Sequence, residues 1–156
     1  MSKALLVTIA AGIAIGLAWP SDAPSAEAEE VAASAERRET TLERERNGHF
    51  YTYAEVNGEP VRFVVDTGAS FVALTVKDAE RLGIPFSPDE FEIIGEGASG
   101  LVRGKLVHLD SVEIDGKRVS NVKAAILEGS RLSLLGQSYL SRMGEVQMRG
   151  DYMVLR

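Results

Sequence analysis

Val64-Val65-Asp66-Thr67-Gly68-Ala69-Ser70 is the stretch on which the reading of this chain turns. Two β-branched apolar residues of the kind that fill a buried strand run straight into an acid. A small hydroxyl residue, a glycine and two further small residues follow. That order ends a strand, exposes one carboxylate at its tip and leaves a hydroxyl and backbone donors to hold it. The plainer use of the same order is an acid that caps a local turn, a common role for Asp before Thr-Gly. The stretch occurs once in the chain.

The surrounding sequence reads as many short strands with turns at close spacing, the pattern of an all-β barrel. Phe50 to Val56 alternates and ends at Asn57-Gly58, a strong hairpin signal, and Val61 to Val65 returns from it. Phe71 to Thr75 is a short apolar strand. Thr75-Val76-Lys77-Asp78 opens a short helix with a capping pattern, which Gly83 closes. Ser87-Pro88-Asp89-Glu90 is a second cap with proline in the first helical position. Val107 and Leu109 share one strand face, whereas Val112 and Ile114 have the opposite parity, so a bulge or bend is expected near Ser111. Asp115-Gly116 is the next hairpin turn. Val119 to Leu127, Glu145 to Met148 and Tyr152 to Leu155 supply the last strands, with Gly150-Asp151 turning between the final two. Late in the chain Leu134-Leu135-Gly136-Gln137 places two large apolar residues and a glycine before a short helix, expected from Ser138 to Arg142.

Asp66-Thr67-Gly68 with its flanking small residues, followed later by Leu134-Leu135-Gly136, resembles the retroviral-type (retropepsin-like) aspartic proteases, and the order is similar to that of a bacterial group of small, membrane-anchored, single-domain members. The resemblance spans roughly Asn47 to Arg156. It implies an all-β, single-domain closed barrel with a short helix, assembled as a C2 homodimer. It implies that Asp66 is catalytic, that Thr67, Gly68, Ala69 and Ser70 support the active-site loop, and that Leu134, Leu135 and Gly136 pack across that loop in a ψ-shaped arrangement. Thr67 resembles the threonine whose hydroxyl bonds to the partner's loop, and Ser70 is placed to bond the carboxylate. Aspartic-protease chemistry needs two carboxylates that share a proton, so a chain with one copy must take the other from a partner. The strands near both ends of the domain, Tyr152 to Leu155 included, are expected at the dimer interface. Gln137 departs from the pattern, because retroviral enzymes carry arginine there.

Gly95-Glu96-Gly97-Ala98-Ser99-Gly100 lies between two strands and is expected to be a mobile hairpin tip, which in the resembling family is a flap that closes over substrate. Its formal match to a dinucleotide-binding pattern fails, since Leu101 onward reads as strand where a helix is required. A Ser–His–Asp set of Ser70, His108 and Asp66 is a weaker rival, because no nucleophile elbow is present and His108 alternates outward in a strand. His49 reads as a solvated residue. The competing function class is a non-catalytic peptide-binding or assembly module on the same fold.

Composition narrows the field further. The chain has 156 residues, a formal net charge of −6, two histidines and no cysteine. Thiol nucleophiles, disulfides and cysteine-based zinc sites are thereby excluded, and neither a metal nor a cofactor is called for. The acidic balance, without a basic stripe interleaved with aromatics, argues against nucleic acid as a partner. The expected partners are a protein or peptide substrate and a second copy of the chain.

Lys3 precedes Ala4 to Trp19, sixteen residues without a charge. As a helix this run spans about 24 Å, slightly short of a hydrocarbon core of about 30 Å. Residues 1–19 are therefore expected to be a membrane anchor or export signal, with an uncleaved anchor preferred because the small-residue cleavage patterns are poor. The implied location is the bacterial inner membrane, single-pass, with the protease domain on the periplasmic side, or the periplasm if the segment is removed. Residues 20–46 are rich in Ala, Glu, Ser and Arg and read as a flexible linker. Residues 47–156 then form the domain, expected to fold without what precedes it.

Overall fold

Tight turns fix the register of this barrel. Asn57 and Gly58 both take positive φ, 51° and 90°, and Asp115 and Gly116 repeat the arrangement at 46° and 78°. Both are two-residue connections whose twist matches that of the strands they join, as their Asn-Gly and Asp-Gly sequences predict. The computed structural model describes residues 39–97 and 100–156. The expected anchor, residues 1–19, most of the expected linker, and Ala98 and Ser99 lie outside the described residues. Among those described, no helix is long and apolar enough to cross a membrane.

The strands in chain order are β1 (Thr40–Glu43), β2 (Tyr51–Val56), β3 (Glu59–Val65), β4 (Val72–Thr75), β5 (Glu92–Gly97), β6 (Gly100–Ile114), β7 (Lys117–Leu127), β8 (Ser133–Leu135), β9 (Val146–Arg149) and β10 (Tyr152–Leu155). The helices are α1 (Val76–Arg81) and α2 (Gln137–Leu140), with a single 3₁₀ turn at Pro88–Glu90. The main sheet runs β2-β3-β8-β4-β7-β6-β5, and a further pairing of β2 with β6 closes six of these strands into a barrel. The all-β closed barrel expected from the sequence is therefore found. Val56, Phe63, Leu74, Leu109, Ile126 and Leu135 are fully buried inside it.

The parity change near Ser111 is also found, and it is a bend. Leu109 and Ser111 face inward, and so do Val112 and Ile114. The pairing with β7 stays in register from Leu109↔Val122 to Ser111↔Ser120, so no residue is inserted. Asn121 absorbs the switch by taking φ 51°. The Asn57 carboxamide oxygen accepts from the Ser111 N–H at 3.1 Å, and the Asn57 N–H donates to the Ser111 carbonyl at 3.0 Å, so the first hairpin turn is stitched to the bend where the barrel closes.

β8 is threaded between the two halves of the sheet. It pairs parallel with β3, Val65 facing Leu135, and antiparallel with β4 through Ala73 and Leu134. Ser133 locks its start: its hydroxyl donates to Asp78 Oδ2 at 2.6 Å and accepts from the Thr75 N–H at 3.1 Å. Thr75 caps α1 as the sequence predicts, accepting from the Asp78 N–H at 3.0 Å. Gly136, directly after β8, has no room for a side chain. A Cβ there would stand 2.1 Å from the Phe71 carbonyl oxygen and 2.7 Å from that of Ala69.

The linker boundary expected at Asn47 is corrected. Thr40–Glu43 forms β1 and pairs with β10, which pairs in turn with β9, giving a three-stranded sheet under the barrel. Leu42 packs with Met153 and Leu155 in the core. Thr40 is buried, its hydroxyl donating to Asp115 Oδ2 at 2.5 Å and accepting from Lys117 Nζ at 2.7 Å. Lys117 is 6% exposed, and this burial pulls its pKa below the usual lysine range while Asp115 pulls the other way. Beyond β1, Arg44 stacks its guanidinium 4.5 Å from the Phe50 ring centre and bridges to Phe50 in the backbone. The local composition hid this because four residues with one large apolar side chain look like linker until β10 supplies a partner edge.

Leu42→Ala is expected to lower stability by about 2 kcal/mol, read from the denaturant midpoint. A chain cut at Asn47 is expected to be less stable still, because it uncovers Met153 and Leu155 and leaves Lys117 without its Thr40 acceptor. Gly136→Ala forces a backbone shift and is expected to abolish the cooperative native transition or cost more than about 3 kcal/mol, checked by the same measurement.

Candidate active site

Asp66 follows the last residue of β3 and is partly exposed at the strand's end. Its N–H donates to the Leu135 carbonyl at 3.1 Å, so β8 holds the base of the loop. The Gly68 N–H donates to Asp66 Oδ1 at 2.9 Å, and the Ala69 N–H donates to the Asp66 carbonyl at 3.2 Å. The carboxylate is thus aimed by its own loop, with the oxygens still accessible. A Cβ on residue 68 would sit 3.3 Å from Oδ1, which accounts for the glycine.

The first turn of α2 grips the far side of the loop. The Gln137 N–H donates to the Ala69 carbonyl at 2.8 Å and the Ser138 N–H to the Ser70 carbonyl at 3.1 Å. Ser138 Oγ accepts from the Val72 N–H at 2.9 Å. Gln137 Nε2 donates to the Thr67 carbonyl at 2.8 Å, so the neutral amide ties down the residue that follows the acid. Gln137 and Ser138 are the supporting residues that sequence reasoning left without a role; their only signal was their place just after Leu134-Leu135-Gly136. The helix begins one residue earlier than expected, at Gln137.

The expected loop residues are brought together, with one correction. Ser70 is exposed, and among the described residues no hydrogen bond joins its hydroxyl to Asp66; its contribution is the backbone carbonyl. Thr67 is exposed. His108 and His49 are exposed, as expected.

Opposite the loop stands the β5–β6 hairpin. Its Gly95, Glu96 and Gly97, together with Ile94 and Val102, wall a groove of about 420 Å³ whose other side is the Asp66 loop and whose floor includes Ala73, Ala125 and Leu134. Gly100, the last of the hairpin-tip residues singled out in the sequence, opens β6 at φ 109°. The hairpin's base is clamped. Arg103 Nη2 donates to the Phe91 carbonyl at 2.8 Å, Arg103 pairs with Glu128 at 3.2 Å, and Lys105 pairs with Glu90 at 2.7 Å. The Lys105 ammonium and the Ser87 N–H hold the Glu90 carboxyl below the usual range. A register shift between Ile93 and Gly95 bends the hairpin above this base. The result is a groove with a carboxylate on one wall and a glycine-rich hairpin on the other. No group of acidic or histidine side chains suited to a metal ion occurs among the described residues.

Residues 52–142 match the family described as "gag-polyprotein putative aspartyl protease". Two uncharacterized curated proteins are similar. One, in the cobV 5′ region of Sinorhizobium sp., is 36% identical over 128 residues, covering 81% of this chain and 55% of that protein. The other, from Rickettsia prowazekii, is 36% identical over 123 residues, covering 78% of this chain and 53% of that protein. The chain thus spans about half the length of the curated relatives it matches. Among solved structures, a retropepsin-like aspartic protease from Rickettsia conorii superposes with a TM-score of 0.65 at 36% identity, covering 76% of this chain and 89% of that one. EIAV protease in complex with the inhibitor HBY-793 shares the fold at a TM-score of 0.51 and 19% identity, covering 64% of this chain and 91% of that one. A family match over more than half the sequence, on a barrel that follows the backbone of a solved relative, leads to one conclusion: the chain belongs to the retropepsin-like aspartic proteases.

Proposed function

We propose that this chain is an aspartic endopeptidase that works as a homodimer, with Asp66 of each copy forming the catalytic pair. The observation that carries the reading is the aim of the Asp66 carboxylate. The Gly68 N–H and the α2 grip hold it at the wall of a peptide-sized groove, and each chain brings one such acid. Two carboxylates placed face to face cannot both ionise, so the pair titrates as a unit and shares one proton. The ionised member takes a proton from water between them. The protonated member donates to the scissile carbonyl oxygen. Water attacks the carbonyl carbon directly, and the proton taken from it passes to the leaving nitrogen as the carbon–nitrogen bond breaks, without an acyl-enzyme. Substrate lies along the groove beneath the β5–β6 hairpin, whose glycines let backbone approach backbone.

The N-terminal run Ala4 to Trp19 supports a second part of the reading, an anchor or export signal that confines the domain to a membrane surface. Confinement raises the local concentration of protomers and favours pairing by mass action.

Asp66→Asn is expected to lower peptide hydrolysis by about 10³-fold or more while the fold and dimer persist, because an amide neither accepts the water's proton nor donates the shared one. A purified wild-type/Asp66→Asn heterodimer is expected to be nearly inactive too. Retention of the biological effect by Asp66→Asn would assign the chain to the binding-module class. A fragment that begins at Glu39 is expected to lose activity on dilution sooner than the anchored chain and to match it per active site when concentrated, read as a dilution series against one peptide.

A further inference from the structure

The retroviral resemblance places the C-terminal strand at the dimer interface, yet β10 has no edge to offer. It is hydrogen-bonded to β1 on one side and to β9 on the other, within its own chain. Among the described residues two edges of this small sheet stay open, those of β1 and β9. We propose that two copies of the chain join through the open edge of β9, Val146–Arg149 against Val146–Arg149 of the second copy, to make one continuous six-stranded antiparallel sheet in the order β1-β10-β9-β9-β10-β1. The inference rests on the Asp66-pair reading above, because the site is incomplete without the second copy.

The hydrogen-bond alternation specifies the register. Glu145 and Arg156 exchange both backbone bonds, the Glu145 N–H donating at 3.2 Å and the Arg156 N–H at 2.9 Å. Counting along the pairing of β9 with β10, Gln147 and Arg149 also turn their N–H and C=O toward β10. Val146 and Met148 therefore turn theirs outward to the open edge. A twofold axis through Gln147 sets Val146 of each copy opposite Met148 of the other, and these are the pairs that exchange hydrogen bonds, four in all. The side chains agree with this register. Met148 is 55% exposed although it lies on the same face as the buried Met153, and Val146 is partly buried on that face. Arg44 reaches the Met148 sulfur at 3.5 Å and leaves most of the side chain uncovered. In the paired sheet each Met148 lies across from a Val146, an apolar cross-strand contact made twice.

The β1 edge is the poorer candidate. Glu39 and Glu45 beside it are paired with Arg156 and Arg62, and the remaining acid, Glu43 on the strand, would come close to its own copy if two such edges met. Its continuation is already bridged to Phe50. β9 is also the next element after α2, which grips the Asp66 loop, so an axis through Gln147 is coupled to the position of the acid by a short stretch of chain.

A cysteine-free chain makes the test clean. In this register Gln147 faces Gln147 of the second copy as a non-hydrogen-bonded pair, about 4.5 Å between Cα atoms, which a disulfide can span. Full-length Gln147→Cys, mildly oxidised, is expected to run mostly as a covalent dimer without reductant, and Thr41→Cys on the β1 edge as a monomer. Met148→Pro removes an outward N–H and no bond within the chain. It is expected to raise the dimer dissociation constant in sedimentation by about tenfold or more, with the chain still folded by circular dichroism. Cross-linking through Thr41→Cys in place of Gln147→Cys, or a Met148→Pro chain that dimerises like the wild type, would overturn the proposal. The two readings fail separately. A Gln147→Cys dimer without Asp66-dependent cleavage keeps the interface and removes the protease. Asp66-dependent cleavage by a chain that does not cross-link at residue 147 does the reverse.

Discussion

The close approach of Gly136 to the carbonyl oxygens of Ala69 and Phe71 is the constraint on which the site depends. It lets β8 and the start of α2 lie flat against the loop that carries Asp66. From that contact follow the bonds of the Asp66 N–H to Leu135, of the Gln137 N–H to Ala69 and of the Gln137 amide to Thr67. Leu135 is fully buried and pairs with Val65. The position of a partly exposed carboxylate is therefore tied to the packing of the core, and a shift in one is a shift in the other. The Ser133–Asp78–Thr75 network does the same work at the other end of β8.

A second constraint sits under the barrel. Lys117 is a buried cation, and burial of a charge is tolerated when hydrogen bonds and an opposite charge compensate it. Thr40 and Asp115 supply that compensation, and Thr40 comes from a strand outside the sequence match to the family. The Tyr139 hydroxyl donates to the Lys117 carbonyl at 2.7 Å, and its burial pushes its pKa upward, so it stays protonated and serves as a donor. β1, the β6–β7 turn and α2 thus meet at one polar cluster. The element before the barrel is joined through it to the helix that grips the Asp66 loop.

In the proposed function the protomer carries half of a two-carboxylate chemistry, and that reading is consistent with the open faces of the fold. The Asp66 loop, the glycine-rich hairpin and the edge of β9 are exposed, whereas the barrel behind them is sealed. A groove with one acid is a binding cleft. The same groove across a twofold axis becomes a site in which proton sharing is forced by proximity. On the proposed reading the difference between those two states is one of assembly, and activity would follow protomer concentration and strand-edge geometry.

Sequence alone determined the local chemistry. The Asn57-Gly58 and Asp115-Gly116 turns, the Thr75 cap, the parity change at Ser111 and the paired signals of Asp66-Thr67-Gly68 and Leu134-Leu135-Gly136 are each set by residues within a few positions of one another, because turn dihedrals, caps and alternation are short-range properties. Tertiary structure decided the rest. Thr40–Glu43 became a strand because β10 presented an edge and Met153 and Leu155 presented an apolar face, neither of which is visible from the linker's own composition. Gln137 acquired its role because the chain returns seventy positions later to the Thr67 carbonyl. β10 lost its free edges to two strands of its own chain. These outcomes are contacts between distant segments, and strand pairing is sensitive to which edge arrives, a quantity that no local window contains.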